Sequence, residues 1–158
     1  MLSTVVHNVN KVIGRFTNLL LIIMTLAVFA QVISRFLLEH PLAWSEELAR
    51  YLMIWITFLG ASLAIEKKAH PMIEIFAGFL PGRTRQVVQV IALLVSSVFY
   101  SLLIYFGSQF AVRSFGQLTP AMGLPIGYVY LIIPISGVLL LISSFAEIEK
   151  IIKRGKLI

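Results

Sequence analysis

The sequence predicts an all-α integral membrane protein: four transmembrane helices, with a short interfacial amphipathic helix between the second and third. Three observations predict it. Hydrophobic residues fill 59% of 158 positions and charged residues only 13%, against about 25% charged in an average soluble domain. So short a chain keeps a large share of its surface outside any core, and a mean hydropathy of +0.94 makes lipid the fitting surroundings. Four apolar runs approach the roughly 20 residues that cross about 30 Å of hydrocarbon. The basic residues, 13 against 7 acids, stand between those runs, which suits orientation in a membrane better than nucleic-acid binding. The chain has no cysteine, which excludes disulfide frameworks and thiolate metal sites.

The runs place spans at about Phe16–Leu38, Leu48–Ile65, Gln86–Gly107 and Ile126–Ala146, in one membrane domain covering 1–158. The first is uncharged from Phe16 through Ser34 and is too long for the apolar core of a cleaved signal peptide. Before it, Thr4, His7, Asn8, Lys11 and Arg15 share one helical face, so the N-terminal segment reads as interfacial. The second span is the weakest, uncharged only from Tyr51 to Ile65, which puts Arg50 and Glu66 at the two boundaries. Between the second and third spans, Met72, Ile73, Ile75, Phe76, Phe79 and Leu80 recur at helical spacing, with Glu74 and Gly78 opposite. That is an amphipathic helix over Met72–Leu80, too short to span. Pro71 suits its first turn and Pro81-Gly82 ends it. Lys67, Lys68, Arg83 and Arg85 flank it as candidate contacts for lipid headgroups. In the third span Ser97 and Ser101 share a face where a neighbouring helix can approach, and Pro134 is expected to kink the fourth.

The lysines and arginines set the direction. Lys11, Arg15, Lys67, Lys68, Arg83, Arg85, Lys150, Lys153, Arg154 and Lys156 fall on one side, and Arg35, Arg50 and Arg113 on the other. By the positive-inside rule both termini are cytoplasmic.

The spans carry little chemistry. Ion pathways and proton relays use ionisable groups inside the membrane, whereas every charged residue here lies at a span end or in a connection. His7, His40 and His70 are too dispersed for a metal cluster, and the span serines have no histidine near them in sequence. The residues alone point to neither an enzyme nor a complete transporter, and they call for no cofactor.

The most particular segment runs from Arg35 to Arg50. Ser45 is placed to cap the second helix, and Glu46 and Glu47 suit its positive first turn. Arg50 follows Glu46 at i+4 and Glu47 at i+3, so either can pair with it, and Trp44 sits where interfacial indoles are enriched. These features serve a helix start; Arg35, Trp44, Glu46, Glu47 and Arg50 are also the candidate residues for docking a partner subunit.

Arg35-Phe36, Trp44-Ser45-Glu46-Glu47-Leu48-Ala49-Arg50, Trp55, Phe58-Leu59-Gly60-Ala61 and His70 follow in that order. The succession resembles the small integral-membrane subunit of tripartite ATP-independent periplasmic (TRAP) transporters, the DctQ-like family. The resemblance covers the chain, and Pro71 departs from it, standing where the family more often has a β-branched residue. It implies a scaffold subunit in the bacterial inner membrane. In such systems a periplasmic substrate-binding protein captures an organic acid such as a dicarboxylate or sialic acid. A large elevator-type membrane subunit then carries the acid inward on a sodium gradient. The resemblance implies that sodium and substrate sites belong to that large subunit. A stand-alone small transporter or channel, and a membrane anchor or assembly factor, are the competing classes.

Overall fold

The computed structural model describes residues 2–37, 42–66 and 82–155. Its elements are α1 (Leu2–Leu37), α2 (Ala43–Glu66), α3 (Gly82–Ser114), the single turn α4 (Gly127–Tyr130) and α5 (Ile132–Gly155). Four of these helices are long and apolar enough to cross a membrane, and the described residues hold no strand beyond one isolated bridge between Leu118 and Pro125. The expected Met72–Leu80 helix, with Lys67 and Lys68, lies outside the described residues. Arg83 and Arg85 fall in the first turn of α3.

The helices form two antiparallel pairs. α1 packs on α2 and α3 on α5, and the pairs meet where α5 touches α2 and α1. Among the described residues α3 makes no contact with α1 or α2, so α5 is the central helix and α1 and α3 lie at the edges. Leu20, Leu59 and Ile132 are buried where α1, α2 and α5 converge, with Ile13, Leu52, Trp55 and Phe58 packed around them.

Each edge helix buries one narrow stripe. In α1 it runs Val6, Asn10, Ile13, Thr17, Leu20, Met24, Ala27, Gln31 and Ser34, alternating steps of four and three. In α3 it runs Leu93, Ser97, Tyr100, Ile104, Gly107, Ala111 and Ser114, with the same rhythm. A period of 3.5 is the seam of helices packed at a shallow left-handed angle. The seam residues are often small or polar, while Phe16, Leu19, Ile22, Leu26 and Phe29 of α1 and Val95, Val98, Phe99, Leu102 and Phe106 of α3 are exposed. That is the arrangement lipid selects, because apolar surface gains nothing by leaving hydrocarbon whereas small residues let backbones approach. At the α3–α5 contact a Cβ on Gly137 would stand 2.7 Å from Ile104 Cγ1 and 3.3 Å from the Tyr100 carbonyl oxygen, so only a hydrogen fits there.

Two expectations are corrected. Ser97 is buried but Ser101 is exposed, because the seam steps from Ser97 to Tyr100 and leaves Ser101 one position off. Both hydroxyls donate within their own helix, Ser97 to Leu93 O at 2.8 Å and Ser101 to Ser97 O at 2.9 Å, which satisfies them without water. The N-terminal segment is no separate surface helix: α1 runs unbroken for 36 residues, about 54 Å at about 1.5 Å per residue, so its first turns extend beyond the hydrocarbon. The interruption expected from Pro134 in the fourth span is present, and it falls at Leu131, between α4 and α5. Pro134 has no N–H for the Tyr130 carbonyl, which removes one of the hydrogen bonds that would run through this junction, while Leu131 N still donates to Gly127 O at 3.0 Å.

Candidate functional site at the start of α2

α2 begins two residues before the expected cap. Ser45 lies inside the first turn, where its hydroxyl donates to Leu42 O at 2.7 Å and its backbone N–H donates to the same oxygen at 3.1 Å. A helix start suits acidic side chains because its unpaired N–H groups leave it partly positive. The two glutamates that follow point in different directions. Glu46 is exposed and accepts from Arg50 Nη2 at 3.0 Å. Glu47 is buried, with 8% of its surface exposed.

The Glu47 carboxylate is held from three directions. One oxygen accepts the hydroxyl of Tyr51, one turn further along α2. The other accepts the backbone N–H of Ala121 at 2.7 Å and of Met122 at 3.1 Å. Two successive amides converging on one oxygen form the concave donor arrangement that binds anions; here the anion is a side chain of the same protein.

The amides belong to the ordered connection between α3 and α4. Thr119 and Leu124 face one another across it: Thr119 N donates to Leu124 O at 2.8 Å, and Leu124 N to Thr119 Oγ1 at 2.9 Å. Gly123 N closes the turn on Thr119 O at 3.0 Å, and Ile126 N reaches Gln117 O at 2.9 Å. Gly123 takes φ +64°, a left-handed conformation in which a Cβ is unfavourable. Thr119 is buried, but Leu118 and Leu124 are exposed. The connection's ends are pinned by aromatic pairs, Phe115 with Tyr128 at 5.1 Å and Phe110 with Tyr130 at 4.6 Å. Gly127 seats α4 against α3, where a Cβ would fall 2.6 Å from the Phe115 ring and 2.9 Å from Ala111 O.

The proposed docking cluster is therefore divided. Arg35 is exposed in the last turn of α1, and Trp44, Glu46 and Arg50 are exposed at the start of α2, while Glu47 is committed to the α3–α4 connection. Tyr51, Thr119, Ala121, Met122 and Gly123 complete the arrangement without having been singled out by sequence. Glu47 and Ala121 are 74 positions apart, so no local spacing rule relates them. The available signal was the turn chemistry of Pro120, Gly123 and Pro125, which marks an ordered turn whose amides need acceptors. Among the described residues no group of His, Cys, Asp and Glu could hold a metal ion.

The model of the DctQ component of tripartite ATP-independent periplasmic transporters matches residues 24–154. The chain belongs to this family. As a DctQ-family protein it is a component of a transport system and not an enzyme. It is 31% identical to the sialic acid TRAP transporter small permease protein of Vibrio cholerae over 162 aligned residues, covering 100% of this chain and 88% of the relative. It is 27% identical to the ectoine TRAP transporter small permease protein of Halomonas elongata, covering 85% and 71%. An 88-residue stretch is 34% identical to the sialic acid TRAP transporter permease protein of Haemophilus influenzae, covering 56% of this chain and 14% of that one.

Several residues behind the family resemblance pack the protein itself. Trp55, Phe58 and Leu59 belong to the α1–α2–α5 core. Glu47 closes the connection between α3 and α4. Trp44, Glu46 and Arg50 remain on the surface.

Proposed function

We propose that the chain is the small scaffold subunit of a sodium-driven, binding-protein-dependent TRAP transporter importing an organic acid of the dicarboxylate or sialic-acid type. The observation that carries this reading is the DctQ-family match over residues 24–154. Likeness along the whole chain to a subunit named for sialic acid supports the solute class. The chain sits in the bacterial inner membrane with both termini cytoplasmic, which the ten-to-three division of basic residues supports. It packs against a large elevator-type subunit that holds the sodium and substrate sites. Charge-free span interiors, such as 16–34 and 51–65, support a framework role, since coupling residues in membranes are ionisable groups facing a pathway.

Arg35, Trp44, Glu46 and Arg50 form the surface that docks the large subunit or the periplasmic binding protein. Lys67, Lys68, Arg83 and Arg85 hold the Met72–Leu80 helix to headgroups at the cytoplasmic interface.

The test is reconstitution into vesicles with an inward sodium gradient. Uptake is expected only when this chain, the large subunit and the loaded binding protein are all present. Solute moved by this chain alone would replace the reading with a stand-alone transporter. Full uptake without it would leave a membrane anchor or assembly factor.

A further inference from the structure

The two helix pairs meet through α5 and α4. α5 meets α2 and α1, and α4 touches α2, while α3 stands clear of α1 and α2 among the described residues. At the end where α2 begins, Glu47 supplies a polar link between the pairs: its carboxylate leaves α2 and takes two amides from the connection that follows α3. The nearest cation along the helix, Arg50, is occupied by exposed Glu46 at 3.0 Å. The negative charge of Glu47 is thus answered by amide dipoles and the Tyr51 hydroxyl, at a site with 8% exposure. A partner chain has little of this carboxylate left to contact.

We infer that Glu47 is a positioning residue acting inside this chain, buckling the α1–α2 pair to the α3–α5 pair and holding residues 115–126 in the single conformation that uptake requires. The inference rests on the transporter reading above. A framework subunit contributes by being rigid, because any segment that must be ordered when a partner lands subtracts from the binding free energy. The segment held by Glu47 presents Leu118 with 66% and Leu124 with 48% of their surface exposed, and its own bonds depend on Gly123 in the left-handed region.

The chemistry separates this role from docking through charge. In Glu47→Gln one side-chain oxygen still accepts both amides, and the NH2 group can donate to the Tyr51 hydroxyl oxygen. In Glu47→Ala both amides lose their acceptor. The experiment uses the complete transporter and reads amide hydrogen exchange at Ala121 and Met122 alongside solute uptake. Glu47→Ala is expected to speed exchange at both amides by at least about tenfold and to cut uptake, and Glu47→Gln to bring both to within about threefold of wild type. Tyr51→Phe, which keeps both amide bonds, is expected to fall between, and it carries the test if Glu47→Ala fails to accumulate.

Uptake lost in Glu47→Gln with unchanged exchange would overturn the inference in favour of a charge contact with another chain. Wild-type uptake by Glu47→Ala despite fast exchange would show that the order of this segment does not matter. A wild-type complex that moves no solute would sink the transporter reading alone, and the exchange comparison would still confirm or remove the buckle.

Discussion

At position 50 a guanidinium has two carboxylates within helical reach and takes only Glu46. The choice follows from burial: Glu47 is enclosed by its own amide donors, whereas Glu46 and Arg50 keep 63% and 64% of their side-chain surface exposed. An exposed i,i+4 pair contributes only about 0.3–0.5 kcal/mol to folding. Arg50→Ala is therefore expected to leave thermal stability in detergent almost unchanged. If the pair docks another subunit, the same substitution should weaken association by roughly 2–5 kcal/mol, and Glu46→Lys should do more harm by adding repulsion. Co-purification of the large subunit at matched expression measures this. Wild-type recovery for both variants would return the pair to an ordinary helix surface.

An element in this protein is recognisable by what it shows to lipid, and its partner surface is the inconspicuous side. The seams of α1 and α3 carry residues such as Asn10, Thr17 and Gln31, or Ser97, Gly107 and Ser114. Close packing there depends on small size, so enlarging a seam glycine is costly. The same holds where α4 seats on α3: Gly127→Leu would drive side-chain atoms into the Phe115 ring and the Ala111 carbonyl. The expected destabilisation is about 1–3 kcal/mol or more, read as a lower unfolding temperature in detergent, with α4 detached from α3. The proposed Met72–Leu80 helix has a separate test. Spin labels at Glu74 and Phe76 should differ in accessibility to water, with position 74 wet and position 76 in lipid. Equal accessibility at the two positions would make the segment an ordinary connection.

For the whole molecule, the four long apolar helices and charge-free span interiors such as 16–34 and 51–65 support the proposed framework role. The orientation proposed for the chain rests on the distribution of lysine and arginine. Reporter fusions after Lys11 and at the C-terminus are expected to report the cytoplasm, and one near Leu118 the periplasm. A periplasmic signal from either terminus would reverse the molecule and would move the Glu47 buckle to the cytoplasmic face.

The membrane class, the four long apolar helices and the family were legible in the sequence alone. The first two depend on composition and run length, which transfer of apolar side chains to hydrocarbon reads directly, and the family on the resemblance carried by the motif residues from Arg35 to His70. The division of the glutamates was not legible. Local spacing allowed Arg50 to pair with Glu46 or Glu47, and only the placement of the 115–126 connection over the start of α2 removed Glu47 from the surface. The seam was hidden for a related reason. Hydropathy marks the faces that meet lipid, while helix–helix contact in a membrane is decided by shape, so Ser101 resembled Ser97 in sequence although only Ser97 lies in the seam. Tertiary structure settled the contacts between residues far apart in the chain, because the acceptor that two amides require can come from anywhere the fold delivers one.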